Sequence, residues 1–243
     1  MLTKNIRFKN FIIRSNTSKV KKDFEKLINS ENQILNSLSL QYIYSYSKKI
    51  IKKYKNFSKI RIIGIGGSIL GTEAIYSFLK NKIKKKIFFI NKIKNTITKK
   101  KENKFLNLIV SKSGNTLETI SNFNIFVNKN DKNIFITENR SSYLNNLAQS
   151  LKSEIIHHNN FIGGRYSVLS EVGMLPAELG GLNPKKFKQF NFLVNNKNFV
   201  DSLVNNVART ISLIKKKNYA SIILNYDEKS ENLFKWYQQL LAE

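Results

Sequence analysis

A chain of 243 residues with 41% hydrophobic content and 17 phenylalanines can bury a full core and is too apolar to stay disordered. It has no cysteine, which excludes a disulfide framework and thiolate metal sites, and no apolar run approaches the length of a bilayer span. A formal charge of +26 raises nucleic-acid binding, but the lysines are spread along the whole chain among Asn and Ile, with no RNA-binding signature, zinc-finger spacing or basic-zipper heptad.

The partners expected from composition are therefore neither a specific nucleic acid nor a membrane, with only weak salt-sensitive sticking to nucleic acid left over. The first ten residues lack a signal-peptide core, so the chain is expected in the cytoplasm. His157 and His158 are adjacent and would point to opposite sides of a strand, so no metal is expected there.

Residues 1–57 are polar with scattered apolar positions. Val20, Phe24, Leu27 and Ile28 predict one amphipathic helix, and Ile34, Leu35, Leu38, Tyr42 and Tyr46 a second, together a helical N-terminal arm. From Ile60 the pattern changes. Short continuous apolar runs at 60–63, 87–90, 107–110, 133–137 and 154–156 alternate with helical patterns at 72–79, 116–128 and 142–151. Buried strands alternating with helices predict an α/β fold, a doubly wound parallel sheet with helices on both faces, over residues 58–182. Beyond it, Asn183-Pro184 opens a new element, 199–214 predicts a strong amphipathic helix, 219–225 a strand and 232–243 a helix. This reads as the beginning of a second, incomplete α/β domain over 183–243, with Trp236 and Leu240 as core and the 219–225 edge exposed to association.

Ligands of parallel sheets collect outside the C-terminal ends of the strands, where two polar loops fall. In the first, Gly64-Ile-Gly-Gly-Ser68-Ile-Leu-Gly71, glycines let the backbone approach a ligand and Ser68 stands near a helix start. It is not a dinucleotide fingerprint, because Ile69 holds the third glycine position and no acidic residue follows at the ribose distance. Nor does it contain the Gly-Lys-Ser or Gly-Lys-Thr of a phosphate P-loop. The second, Ser111-Lys-Ser-Gly-Asn-Thr116, puts three hydroxyls and a lysine between a buried run and a helix, where backbone N–H groups and the helix dipole favour an anion. One such loop alone reads as ordinary capping. Two at the same end of the sheet point to a small phosphorylated ligand. A third stretch, Gly163-Gly-Arg165, allows a tight turn that aims a permanently charged planar fork, suited to a developing oxyanion; taken singly it reads equally well as a surface arginine.

Together these stretches resemble the glucose-6-phosphate isomerase family. Gly64 to Gly71 is similar to its first sugar-phosphate loop and Ser111 to Thr119 to its second. Gly163-Gly-Arg-Tyr-Ser-Val-Leu-Ser-Glu-Val-Gly-Met-Leu-Pro176 is similar to its long signature, and Asn232 to Glu243 to the run leading to its catalytic glutamate. The match covers residues 60–243. It implies a sugar-isomerase (SIS) domain and interconversion of glucose 6-phosphate and fructose 6-phosphate through an enediolate, in glycolysis and gluconeogenesis, with no cofactor and no metal. It also implies that Ser68, Ser111, Lys112, Ser113 and Thr116 hold the substrate phosphate, that Gly66, Gly67 and Gln239 contact the sugar, that Arg165 stabilises the enediolate and that Glu243 relays the proton. The complete enzyme of the family is a homodimer. It continues past this glutamate with a Ser-x-Gly-Lys segment, a histidine donated by the partner subunit and a lysine linked to ring opening. The chain is thus expected to be C-terminally truncated, and the alternative to an isomerase is a sugar-phosphate-binding module with little or no turnover.

Overall fold

The computed structural model describes residues 17–93, 104–217 and 220–242. The described residues form two compact units: residues 42–187 with 225–242, and residues 17–41 with the described part of 188–224.

The larger unit is built on five parallel strands, β1 (Lys59–Ile63), β2 (Lys86–Ile90), β3 (Leu106–Val110), β4 (Lys132–Glu138) and β5 (Glu154–His158), in the order β2-β1-β3-β4-β5. Side chains alternate across the pleat, so β3, β4 and β5 each feed two cores. On one face Ile60, Ile62, Leu106, Leu108, Val110, Ile134, Ile136 and Ile156 pack with Tyr54 of α3 (Lys48–Tyr54) and with Val172, Leu175 and Leu179 of α7 (Glu171–Leu179). On the other, Ile109 and Phe135 meet Phe123 of α5 (Leu117–Phe126) and Leu144 and Ala148 of α6 (Tyr143–Ser150). The sheet is covered on both faces, as the continuous apolar runs require. Ten residues of its three central strands, Ile60 to Ile136, are essentially shielded from water, each worth roughly 1.5–3 kcal/mol on burial.

One polar layer crosses the second face. Arg61 donates through Nη1 to Asn107 Oδ1 at 3.1 Å and to the Phe126 carbonyl, and lies 3.5 Å from Asp131 Oδ2. Asp131 also accepts from the amides of Phe105 and Asn128 and from Asn107, while the Arg61 guanidinium stacks 4.0 Å from the Phe105 ring centroid. A buried charge persists only when each of its groups finds a partner, and here it does.

Helix α4 (Leu70–Leu79) follows β1, and α10 (Glu231–Ala242) returns to pack on it, with Asn232 donating to Ser77 Oγ at 2.6 Å. The C-terminal segment therefore belongs to the first sheet's unit and not to a separate second one. Residues 220–225, where a strand is expected, take no regular structure, because no strand among the described residues lies beside them to pair their backbone groups; Tyr219 is outside the described residues. The expected helix over Ile34–Tyr46 is also shorter, α2 (Gln33–Ser37). The Ser37 and Ser39 hydroxyls bond the Ile34 and Asn36 carbonyls, which competes with continuing the helix. Tyr42, Tyr44 and Tyr46 instead recur every two residues along chain without regular structure, successive rings 5.4 and 5.0 Å apart.

The smaller unit joins α1 (Ser18–Ile28) and α2 to α8 (Phe190–Val194) and α9 (Lys197–Lys215). The Asn196 side chain caps α9 through the Phe199 amide, and Val204 and Ala208 are its buried positions. Among the described residues no helix is long and apolar enough to cross a membrane.

Candidate functional site at the switch point of the sheet

The strand order reverses direction between β1 and β3: β2 lies to one side of β1, and the chain then crosses back to the other. Crevices for ligands form at such switch points, outside the carboxyl ends of the two strands. Both polar loops leave from there. Ile63 of β1 pairs with Ile109 of β3, and a methyl on Gly64 would lie 3.0 Å from the Val110 carbonyl and 3.3 Å from Ser68 Cβ.

After β1, Gly66–Ser68 makes one 3-10 turn, and α4 begins at Leu70, so Ser68 sits two residues ahead of the helix. After β3 the chain turns at Gly114, whose φ of +68° is a left-handed conformation that favours glycine. Its amide donates to the Ser111 carbonyl at 3.2 Å and to Ser111 Oγ at 3.1 Å, closing a small ring of hydroxyls. Ser111 Oγ is 2.8 Å from Thr116 Oγ1, which is 3.4 Å from Ser113 Oγ. Thr116 occupies the N-cap of α5 without making a side-chain cap hydrogen bond. The Thr116 hydroxyl turns to Ser111 instead of capping α5.

The third stretch meets the first directly. Gly163 and the following 3-10 segment Gly164–Leu169 bring Gly164 against Gly67, so closely that a methyl on Gly67 would fall among the Gly164 and Arg165 backbone atoms, 2.8 Å from the Gly164 oxygen. Ser167 Oγ donates to the Gly164 carbonyl at 2.7 Å and lies 3.4 Å from the Gly67 carbonyl. The Arg165 carbonyl accepts from Trp236 Nε1 at 2.8 Å, and its guanidinium stands 5.9 Å from the Tyr166 ring centroid. Helix α10 also brings Gln239 to the loop, its Nε2 being 3.2 Å from where a Gly66 methyl would stand. Gly66 and Gly67 thus meet the Arg165 backbone and the Gln239 side chain, and Gly64 of the same loop lies against Val110, the residue before Ser111. Trp236 is not the simple core residue that periodicity suggests; it is half-buried and fastens the arginine turn.

Lys112 is placed differently. Its ammonium donates to the Asn160 carbonyl at 2.8 Å and pairs with Glu138 at 3.4 Å, so a phosphate contact would have to draw it from both. Glu243 lies outside the described residues. Among the described residues no cluster of three or more His, Asp or Glu could hold a metal.

Sequence reasoning missed the group beneath the arginine turn. Buried His158, at the end of β5, faces Glu171 Oε1 with Nδ1 at 2.7 Å and the Ile162 carbonyl with Nε2 at 3.0 Å. Glu171 also accepts from the Asn159 amide at 3.0 Å and from Tyr42 OH at 2.9 Å. Burial works against the carboxylate, but the His158 hydrogen bond and charge and the backbone donors outweigh it, holding the Glu171 carboxyl below its usual range. His158 is the inward member of the His157–His158 pair; the alternation was legible, its partners were not.

A parallel α/β sheet with two polar loops leaving its switch point defines a doubly wound α/β protein. The family model described as phosphoglucose isomerase matches residues 14–243, and the chain belongs to that family. It is 32% identical over 207 residues to the glucose-6-phosphate isomerase of Mycoplasmopsis synoviae, a match covering 75% of this chain and 48% of the relative. With the glucose-6-phosphate isomerase of Fusobacterium nucleatum the identity is 30% over 276 residues, covering 96% of this chain and 62% of the relative. The chain spans about half the length of the curated relatives it matches. A crystal structure of a hypothetical protein from Thermus thermophilus shares the fold, at a TM-score of 0.68 and 18% identity over 92% of this chain and 58% of that one.

Proposed function

We propose that the switch-point crevice binds a hexose 6-phosphate, and that the chain serves interconversion of glucose 6-phosphate and fructose 6-phosphate in the cytoplasm. The observation that carries this reading is the convergence of the Ser111–Thr116 hydroxyl ring, the Gly66–Gly67 turn and the Arg165 turn at the carboxyl ends of β1 and β3. Glucose-6-phosphate isomerase is the printed name of the relatives above, and residues 14–243 match their family.

In this reading Ser68, Ser111, Ser113, Thr116 and the first-turn amides of α5 hold the phosphate, and Lys112 contributes field from its place beside Glu138. Grip on the phosphate, remote from the reacting carbons, supplies orientation. Gly66 and Gly67 face the sugar, with Gln239 as a polar contact. Arg165 offsets negative charge as the C1–C2 enediolate develops. Glu243 is the carboxylate that would carry the proton between C1 and C2. It follows Gln239 by four residues, the spacing of one helical face. A homodimer is the expected assembly of the complete enzyme.

The test is calorimetric titration of the full chain with fructose 6-phosphate and with fructose, alongside a coupled assay of glucose 6-phosphate formation. Saturable binding that requires the phosphate supports the site, and turnover supports the isomerase. Binding without turnover supports the phosphosugar-binding module instead, and no preference for the phosphorylated sugar contradicts both.

A further inference from the structure

The Gly-Gly-Arg turn hangs between two supports that the phosphate loops do not provide. From one side Trp236 Nε1 holds the Arg165 carbonyl at 2.8 Å. From the other, the hydrogen-bond chain runs from Tyr42 to Glu171, from Glu171 to His158, and from His158 to the carbonyl of fully buried Ile162, one residue before Gly163. A carbonyl oxygen only accepts, so the Ile162 contact calls for hydrogen on Nε2, while Nδ1 and Glu171 Oε1 share the second hydrogen bond. Glu171 in turn accepts from three donors, which leaves its orientation little freedom. Its oxygen Oε1 also takes the Asn159 amide, so the pair grips the turn 159–163 at its entry and at its end.

A polar pair this deeply buried adds little net stability over well-packed apolar side chains, but it fixes geometry. The geometry fixed here is the backbone leading into Arg165. We propose that His158, seated by Glu171 and Tyr42, is a positioning residue for Arg165: by clamping the Ile162 carbonyl it sets the direction from which the guanidinium meets charge developing on a bound phosphosugar. This assignment rests on the phosphosugar reading of the crevice. The pair's contacts at Tyr42, Asn159 and Ile162 include none of the Ser111, Ser113 and Thr116 hydroxyls, and the phosphate loop meets this turn through Lys112 on the Asn160 carbonyl, so its loss should reach the ligand mainly through Arg165.

The test compares two probes on the full chain, fructose 6-phosphate and a phosphorylated sugar hydroxamate whose ionised N–O group stands where the enediolate oxygen would develop. Wild-type protein should bind the hydroxamate more tightly, and His158→Gln should reduce that advantage by about tenfold, the scale of one charge-assisted hydrogen bond, while affinity for fructose 6-phosphate stays within about twofold. Equal loss for both probes, or an unchanged advantage, overturns the proposal, because a merely structural role moves both together or neither. Should His158→Gln fail to fold, Glu171→Gln and the wild-type protein carry the test by nitrogen NMR. The His158 ring should carry hydrogen on Nε2, the nitrogen facing the Ile162 carbonyl, and the Arg165 Nε–H resonance should move in Glu171→Gln. An Nε2 without hydrogen, or an unmoved Arg165 resonance, overturns it. If wild-type protein binds neither probe, the functional reading fails, and those resonances still decide the clamp.

Discussion

Gly67→Ala places one methyl group where two loops touch. The new carbon would lie 2.8 Å from the Gly164 oxygen and closer still to the Gly164 carbonyl carbon and the Arg165 nitrogen. Non-bonded atoms of this kind prefer about 3.5 Å, so the loops must part by about 0.7 Å at the oxygen and by about 1 Å overall. All three atoms are backbone, and no side-chain rotation relieves the overlap. Overpacking of this size costs about 1–3 kcal/mol. A displacement of about 1 Å between the groups that grip a ligand is worth up to about a hundredfold. Gly163→Ala is the internal control. Its methyl would meet Tyr166 Cδ2 at an ordinary 3.4 Å, and Gly163 has φ −62°, open to alanine. Titration with fructose 6-phosphate and a thermal melt on each variant should show Gly67→Ala weakened by about ten- to a hundredfold and melting several degrees lower, with Gly163→Ala near wild type. Fructose 6-phosphate affinity within about twofold of wild type in Gly67→Ala, or equal loss in Gly163→Ala, would refute the contact between the two loops as the basis of the site.

Four further outcomes follow from the same contacts. Ser111→Ala with Thr116→Ala should abolish measurable fructose 6-phosphate binding while leaving the melt within a few degrees, since their hydroxyls mainly serve each other and the Gly114 amide; unchanged affinity contradicts the phosphate assignment. Asp131→Ala should destabilise by about 3–5 kcal/mol in denaturant unfolding, because it strands buried Arg61 and two backbone amides; a cost below about 1 kcal/mol would show that the polar layer relaxes freely. The Glu171 carboxyl is held low in the native state, so its contribution is complete above the unfolded value of about 4.3 and is lost as pH falls through the native one. Unfolding free energy should therefore fall more steeply below that pH in wild type than in Glu171→Gln, and parallel curves would contradict it. Burial, then the neighbouring Glu171 and Glu178 carboxylates, raise the phenols of Tyr42, Tyr44 and Tyr46. The stability they hold is present below about pH 10 and lost above it, so alkaline unfolding should shift upward when Tyr46 becomes Phe; no shift would place the alkaline transition elsewhere.

The parts legible in the sequence were those with local signatures. Runs such as Ile134-Phe-Ile136 are apolar without alternation because their strands are buried on both faces, and that alone announces a parallel sheet. The loops at Ser68 and Ser111 were legible because glycines and hydroxyls cluster where a buried run stops. What stayed hidden depends on residues distant along the chain. Tyr42 and Glu171 are 129 residues apart, and His158 and Glu171 are 13 apart across a turn, so neither pairing leaves a periodic trace. Tyr42 and Tyr46 sit four apart and imitate a helix, yet with Tyr44 they form a two-residue repeat on chain without regular structure. Apolar composition over 220–225 suggested a strand, but a strand exists only where a neighbour pairs its backbone. Lys112 reads as a phosphate ligand by position, whereas its ammonium is taken up by Glu138 and Asn160, two partners no local pattern reveals.

The most direct measurement of the central claim is an amide NMR titration of the full chain with fructose 6-phosphate. Saturable shifts confined to residues 64–71, 111–118 and 163–167 and to the Gln239 side chain are expected. Shifts scattered over the lysine-rich surface, or absent from the Ser111–Thr116 loop, would contradict that claim.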